Sequence, residues 1–498
     1  MPGQTNPHPH TAALAPATPG AVPARPASDG APTWALALCG VALVAISGNR
    51  AGVAALAWVA PIPLALAATR LRGWRRRPIL LLACVAAVSL QTMKLVGGPA
   101  TPVFALLFGV PIGALGFAVL ALWDLVQRRA GPAWGIHAFA ALTALGDVAG
   151  FALSPGGHWA ASAASQAENL PLLQLASLGG LGLVGLVLAY PAGAATMLLV
   201  SPAGRRPWSH AAAAAAFALA AHAFGTFRLD RQDLGPTLRV AAVTVDFPAR
   251  LRSMEDLRGN VDTLFSRSEL AARRGAALVV WNEVATIVDP DEERALEARA
   301  ADLARRHAID LVLAYGVVVS KEPFRIENVL RWFGPDGAVL DRYRKHFLPP
   351  GEPSIAGVEP LRVLERPWGR AGGAICYDYD SPALAREHAR GGAGVVALPS
   401  SDWRGIDPQH TFMARVRAIE GGFSLLRPAR AGTSAAFDPY GRVRASMSAW
   451  EENERVMLAT VPTAQVRTLY ARLGDAPVVL LAAFVLTGAA WAGRRVTR

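Results

Sequence analysis

Apolar residues in the first half of the chain gather in unbroken runs instead of alternating with polar ones. The runs recur at about 33–48, 51–69, 78–97, 103–126, 132–153, 173–200 and 208–226, and another follows at 474–492. Most approach the roughly 20 residues that a helix needs to cross a bilayer. The pattern predicts a multi-pass α-helical membrane region of about eight spans, seven before a polar stretch and one after it. Between 227 and 472 short β-branched strands alternate with amphipathic helices. Leu238 to Asp246, Ala277 to Asn282 and Asp310 to Val319 read as strands. Met254 to Arg274 sets Leu257, Val261, Leu264 and Leu270 at helical spacing, and a charged helix covers about Asp291 to His307. Gly334-Pro335-Asp336-Gly337 and Asp438-Pro439-Tyr440-Gly441 signal hairpins. Strand, helix, strand and helix follow at 371–376, 381–390, 393–398 and 408–421. Such alternation predicts an α/β domain with a mixed sheet covered by helices on both faces.

Four segments result: a tail at 1–32, seven transmembrane helices over 33–226, the α/β domain over 227–472, and a last helix with a basic tail at 473–498. The tail holds eight prolines and too little apolar surface to offset chain ordering, so it is expected to be disordered. It lacks the basic and apolar regions of a cleavable signal peptide, so the first apolar run is expected to remain in the mature protein.

Composition narrows the class. A net charge of +12 with 52% AVILMFWYC residues and 17% charged residues excludes a disordered chain and fits poorly with a wholly soluble one. The pI near 10.4 raises nucleic-acid binding. The positions of the arginines argue against it, because Arg70, Arg72, Arg75, Arg76 and Arg77, then Arg128 and Arg129, then Arg205 and Arg206, then Arg494, Arg495 and Arg498 flank apolar runs. If every run spans, these clusters fall on one side, which the positive-inside rule makes cytoplasmic. Residues 227–472 would then lie outside the cytoplasm.

Three reactive groups stand where strands end, the place where such sheets gather chemistry. Glu283 follows Leu278-Val279-Val280-Trp281-Asn282, where a carboxylate can be a partly desolvated general base or simply a helix cap. Lys345 lies just past the first hairpin, as a fixed ammonium that could stabilise an oxyanion or as an ordinary surface lysine. Cys376 ends Gly372-Gly373-Ala374-Ile375-Cys376. Cys39 and Cys84 lie in apolar runs, so Cys376 has no disulfide partner in the domain. A buried structural thiol is one reading, and a nucleophile with a lowered pKa, at a strand end before a helix start, is the other.

In this order, Trp281-Asn282-Glu283, Tyr343-Arg344-Lys345 through Gly351-Glu352, and Gly373-Ala374-Ile375-Cys376-Tyr377 resemble the three blocks of the nitrilase, or carbon–nitrogen hydrolase, superfamily over about 238–447. The resemblance implies an αββα sandwich, with Glu283 as base, Lys345 as oxyanion stabiliser, Cys376 as nucleophile and Glu352 as an additional active-site glutamate. With seven spans before the domain and one after it, the chain resembles the membrane N-acyltransferases that complete lipoprotein acylation in Gram-negative bacteria. Residues 165–180 look like that family's loop entering its sixth span, and 409–420 like its helix after the nucleophile. The resemblance implies an inner-membrane, multi-pass enzyme with its catalytic domain in the periplasm. It implies a phospholipid acyl donor, a thioester intermediate and the amine of a diacylglyceryl-cysteine lipoprotein as acceptor. Tyr377 and Trp403 are candidate substrate contacts, or core residues.

Several positions depart from the family pattern. Asn282 stands where a proline is usual, Pro353 where an aromatic is, and Asp378 where a glutamate is. The loop Ser400-Ser401-Asp402-Trp403-Arg404-Gly405 looks shortened, and Arg430-Ala431-Gly432 replaces an Asn-rich turn. These changes leave open a membrane-tethered amidase, or a transferase with another acceptor; a silent scaffold is disfavoured by the intact Glu283, Lys345 and Cys376. No phosphate loop, serine elbow or zinc spacing occurs. Neither metal nor diffusible cofactor is expected, and Pro353 to Arg366 could be a lid over Cys376.

Overall fold

A computed structural model describes residues 31–97, 101–153, 161–231, 234–245 and 254–496. Thr33–Arg498 form one compact unit. The tail expected at 1–32 lies almost wholly outside the described residues, as do Asp246 and the last two residues.

Every apolar run contains helix. Thr33–Ser47, Pro61–Arg70, Arg77–Met93, Pro102–Ala130, Pro132–Leu153, Ala176–Val200, Trp208–Leu229 and Ala476–Val496 are α-helical. The second run is split, a 3-10 turn at Ala54–Trp58 preceding Pro61–Arg70. Proline lacks an N–H and is best accommodated in a helix's first turn, and Pro61 opens the helix here. Among the described residues four helices are long and apolar enough to cross a membrane: Pro102–Ala130, Ala176–Val200, Trp208–Leu229 and Ala476–Arg495. Leu106, Leu107, Leu219, Leu480 and Phe484 on these helices are exposed, an apolar surface that water disfavours and hydrocarbon accepts.

Ala176–Val200 is broken inside, at Gly179 and Gly180, and Gly180 has φ +64°. A Cβ on Gly180 would come 2.4 Å from the Tyr470 ring, so only glycine suits the break. The interruption frees the Leu181 N–H, and Glu420 of the α/β domain accepts it.

The α/β domain has two large sheets and a two-stranded one that pairs Ser400–Ser401 with Ala429–Arg430. An eight-stranded sheet runs Val456–Pro462, Thr237–Val243, Leu278–Trp281, Asp310–Lys321, Phe324–Phe333, Val339–Arg344, with Ile287–Val288 and Ser354–Ile355 paired off this path. A six-stranded sheet runs Val443–Ser448, Thr433–Phe437, Ser424–Arg427, Val395–Ala397, Gly369–Gly373, Val363–Arg366. Val240, Val280, Val312 and Leu330 of the first meet Val395, Leu425 and Phe437 of the second. The intervening residues Ala241, Val243, Val279 and Leu311 face helices Val261–Arg273 and Glu293–His307 instead, as a two-residue side-chain period requires. The single mixed sheet expected from alternation is therefore corrected to two, each with helices on its outer face. Strand and helix alternate identically in both designs, and only long-range strand pairing separates them. The αββα sandwich is the arrangement observed.

The helix Gln409–Gly421 is buried on both sides. Met413, Val416 and Ile419 enter an apolar cluster with Leu172, Leu173, Val184 and Val187 of the helical half. Gln174 Nε2 donates to the Tyr440 carbonyl at 2.9 Å, and Arg415 Nη1 to the Ala167 carbonyl at 2.9 Å. The α/β domain therefore sits directly on the apolar helices.

Candidate active site

Glu283 follows the strand Leu278–Trp281, Lys345 follows Val339–Arg344, and Cys376 lies just past Gly369–Gly373. Two come from one sheet and the third from the other, and face-to-face packing brings their ends together. The backbone turns sharply there: Val284, Cys376 and Ala431 have φ of +43°, +49° and +53°. Such conformations cost of order 1–3 kcal/mol each and persist where surrounding structure imposes them.

Lys345 is 1% exposed. Its ammonium donates to Glu283 Oε1 at 2.8 Å and to Glu352 Oε2 at 2.6 Å. Asn328 Nδ2 bridges the same carboxylates, at 2.8 Å to Glu283 and 3.2 Å to Glu352, and Ser354 Oγ donates to Glu352 at 2.6 Å. Burial opposes the charge on Lys345, but Glu283, Glu352 and Cys376 carry it well above the ordinary lysine range.

Asp378 fixes the Cys376 turn to the Lys345 loop. Its carboxylate accepts the Tyr343 hydroxyl at 2.8 Å, the Ile375 N–H at 3.0 Å, the His346 N–H at 3.0 Å and the Phe347 N–H at 2.8 Å. Burial pushes this carboxyl up to about 6, against those donors and Lys345.

Cys376 is buried, and its thiol donates to the Ser401 carbonyl at 3.7 Å. Burial and the charge of Glu283 push the thiol well above its usual value, with Asp402 adding to them and Lys345 and Arg427 opposing. The lowered pKa expected from a strand-end position is thus corrected: the acids that face the sulfur arrive from other strands, which local sequence does not reveal.

Beneath the thiol lies a buried polar network. Asp402 accepts Arg427 Nη1 at 2.9 Å, Arg427 Nη2 at 2.8 Å and His410 Nδ1 at 2.8 Å, while His410 Nε2 lies 3.4 Å from Asp380. Burial opposes the imidazolium, but Asp380 and Asp402 outweigh it and Arg427 and push His410 up to about 9. Cys376, Asp402 and His410 could converge on a metal ion. Asp402 and His410 are instead committed to each other, to the Arg427 guanidinium and to Asp380, and the thiol to the Ser401 carbonyl, so this set does not fit a cation.

Of the expected contacts, Tyr377 is half-buried and its hydroxyl has no partner among the described residues. Trp403 donates its indole N–H to the Leu95 carbonyl at 2.9 Å and meets Phe104 edge-on at 6.2 Å, so it ties the active-site loop to the helical half. The proposed lid is tied down in its first half: Ser354 pairs with Ile326, Gly357 N–H bonds the Lys345 carbonyl at 2.8 Å, and Glu359 pairs with Arg344 at 2.6 Å. Val358 at its tip is 84% exposed.

Asn328, Ser401 and Arg430 join the site without having been singled out for chemistry. Asn328 lies in the strand Phe324–Phe333 among Arg325, Glu327 and Arg331, so its polarity did not set it apart, and only its burial in the folded chain does. Ser401 and Arg430 pair across two short parallel strands whose proximity no local pattern shows.

Two cores, an αββα sandwich and a Glu283–Lys345–Glu352 cluster beside a buried cysteine define a carbon–nitrogen hydrolase domain joined to apolar helices. Residues 239–471 match the carbon–nitrogen hydrolase family. The chain is similar to an apolipoprotein N-acyltransferase of Bradyrhizobium diazoefficiens, 31% identical over 420 residues that cover 75% of each chain. It is also similar to one of Rhodopseudomonas palustris, 28% identical over 57% of this chain and 59% of that one. Among solved structures, an amidase from Nesterenkonia sp. is 21% identical, with a TM-score of 0.40 over 49% of this chain and 95% of the amidase. The chain belongs to the apolipoprotein N-acyltransferase family.

Proposed function

We propose that this protein moves an acyl chain from a phospholipid to Cys376 as a thioester, and then to the α-amino group of a diacylglyceryl-cysteine lipoprotein. The observation that carries the reading is the buried carboxylate–ammonium–carboxylate cluster beside a neutral thiol, in a chain of this family. As sulfur attacks the ester carbonyl, Glu283 takes the thiol proton. An ammonium has three N–H donors; Glu283 and Glu352 occupy two, and the third serves the oxyanion. The site loses the charge of Glu283 and gains that of the oxyanion, so its net charge is unchanged. No new charge is buried, and Glu352 keeps Lys345 protonated throughout. Collapse expels the lysophospholipid alkoxide, which takes the proton from Glu283. The amine then attacks the thioester, Glu283 accepts its proton, and the thiol is restored.

We further assign about eight membrane spans, with 33–226 and 473–498 as the membrane parts, 227–472 as the periplasmic catalytic domain, and the inner membrane as location. Support comes from Arg72, Arg77 and Arg128, which converge on buried Asp124 at 3.5, 4.0 and 3.2 Å. Arg129 lies beside Gly493, next to Arg494 and Arg495. Basic clusters from distant parts of the chain thus share one end, as a cytoplasmic face requires. Trp403, against Leu95 and Phe104, keeps the active-site loop at the helices, where a lipid donor arrives. Tyr377, with its free buried hydroxyl, is assigned as a substrate contact and Trp403 as a ring contact only.

Intact mass of the detergent-purified chain after incubation with phospholipid tests the reading. One added acyl group, removed by hydroxylamine and absent in Cys376→Ala, is expected; no adduct with any phospholipid sinks it.

A further inference from the structure

Arginines crowd one end of the helical half, where a single carboxylate meets them. Arg72, Arg77 and Arg128 approach buried Asp124 through Nη2 at 3.5, 4.0 and 3.2 Å, with side chains 44%, 35% and 39% exposed. The other acids between residues 33 and 226 are engaged elsewhere: Asp147 accepts the Ser162 hydroxyl at 2.7 Å, and the charge of Glu168 acts on Arg415 of the α/β domain. One carboxylate balances one guanidinium, so the three converging charges leave a surplus of two among the described residues. Asp124 Oδ2 accepts no hydrogen bond among those residues. Arg128 Nε bonds the Asp124 carbonyl at 3.0 Å, whereas Arg72 and Arg77 make no side-chain hydrogen bond among them. Guanidiniums gathered in this way repel one another, and an anionic ligand between them removes that cost.

The surroundings show what kind of anion fits. Along the helix Arg77–Met93, the exposed residues Ile79, Leu82, Ala86, Leu90 and Met93 recur at helical spacing and form one apolar stripe that starts beside Arg77. The far end of that stripe reaches the active-site loop, where the Leu95 carbonyl accepts Trp403. The helix's 17 residues put about 26 Å between the two ends. At the arginine end Trp74 is 79% exposed with Arg75 5.1 Å from its ring centroid, and Trp491 is 57% exposed with Arg495 at 3.6 Å. Exposed indoles beside arginines at the ends of apolar helices are the composition of a bilayer interface. A nucleic acid or an acidic protein matches the charge but leaves the stripe uncovered. A phospholipid matches both, because guanidinium forks suit phosphate oxygens and acyl chains suit the stripe.

We propose that Arg72 and Arg77, with Arg128, hold the phosphate of an anionic phospholipid in the leaflet opposite the α/β domain, its chains lying along Ile79, Leu82 and Ala86. The inference rests on the membrane placement above and not on the acyl-transfer reading. This lipid is not the acyl donor, since its headgroup sits a helix length from the active-site loop. It neutralises the surplus charge and anchors that end of the helical half.

Native mass spectrometry of the detergent-purified full chain tests this, with dihexadecyl ether phosphatidylglycerol, which has no acyl chain to donate, and the matching ether phosphatidylcholine. The parent should bind the phosphatidylglycerol more tightly. Arg72→Gln combined with Arg77→Gln leaves Arg128 to pair with Asp124. In that pair the phosphatidylglycerol dissociation constant should rise roughly 30-fold, the value of two arginines beside an anionic headgroup, with phosphatidylcholine little changed. Arg72→Lys with Arg77→Lys should recover part of the loss, since ammoniums keep the charge without the fork. Arg205→Gln with Arg206→Gln removes equal charge from a different loop and should weaken binding far less. Lipid-free unfolding midpoints of the Arg72 and Arg77 glutamine pair should match the parent's, and phosphatidylglycerol should raise the parent's midpoint more than the pair's. Equal binding of both lipids by the parent, equal losses in the two glutamine pairs, or no loss in the first overturns the proposal. Displacement of the lipid by an equal concentration of glycerol phosphate also overturns it, because the ligand is then a soluble anion. Acyl-enzyme formation should be unchanged in the Arg72 and Arg77 pair; if it falls together with lipid binding, the site serves the donor and the proposal fails.

Discussion

Glu283→Gln should drive two reactions of the same sulfur in opposite directions. Burial and the Glu283 charge hold the Cys376 thiol well above its usual pKa, while Lys345 pulls the other way. Glutamine keeps an acceptor for Lys345 and Asn328, now 2.8 Å from Oε1, and removes the negative charge. A neighbouring charge shifts a pKa by about 1–3 units. A fall of about two units raises the thiolate fraction about 100-fold while pH remains below the pKa. Intrinsic nucleophilicity falls with pKa at a slope of about 0.5, so alkylation should accelerate about 10-fold. Acylation by phospholipid loses its base and should slow by about 10²–10⁴-fold. Iodoacetamide alkylation at pH 8, read at the Cys376 peptide to exclude Cys39 and Cys84, is compared with the hydroxylamine-labile mass gain. If alkylation slows together with acylation, Glu283 holds a thiolate in the resting enzyme and the neutral-thiol mechanism is wrong.

Asp378→Asn keeps one acceptor oxygen where two receive four donors. Unfolding free energy should fall by roughly 3 kcal/mol, and the acylation rate should fall beyond what residual folding explains; an unchanged denaturation midpoint rejects the clamp. His410 faces Asp380, Asp402, Arg427 and Cys376, and its folded pKa of about 9 exceeds the ordinary 6.5. Its stabilisation is therefore complete below about 6.5 and lost as pH rises through about 9, amounting to about 3 kcal/mol. Unfolding midpoints from pH 6 to 10 should show that decline and lose it in His410→Gln; an unaltered slope assigns it elsewhere.

Much of this protein was legible because its determinants are local. Membrane-length runs, arginine clusters and the two hairpin turns each report on the segment that contains them. Glu283, Lys345 and Cys376 stood out because each follows a strand, and the ordered blocks around them carried the family resemblance. Asn328, by contrast, looked like an ordinary strand residue, and Asp378 and Arg430 registered only as departures.

Tertiary structure decided what depends on distant segments meeting. Sequence alternation suits one sheet or two, and the strand pairing that buries Val240 against Val395 chose two. The thiol's pKa followed likewise from Glu283 and Asp402, 93 residues before and 26 residues after Cys376 in the chain. Cys376 itself adopts φ +49° where the strand Gly369–Gly373 gives way to a 3-10 turn, its N–H held by the Pro399 carbonyl at 2.8 Å, which no cysteine signals in sequence. A side chain's identity fixes which charge it can carry, whereas its pKa and partners are set by burial and neighbours, which exist only once the chain has folded.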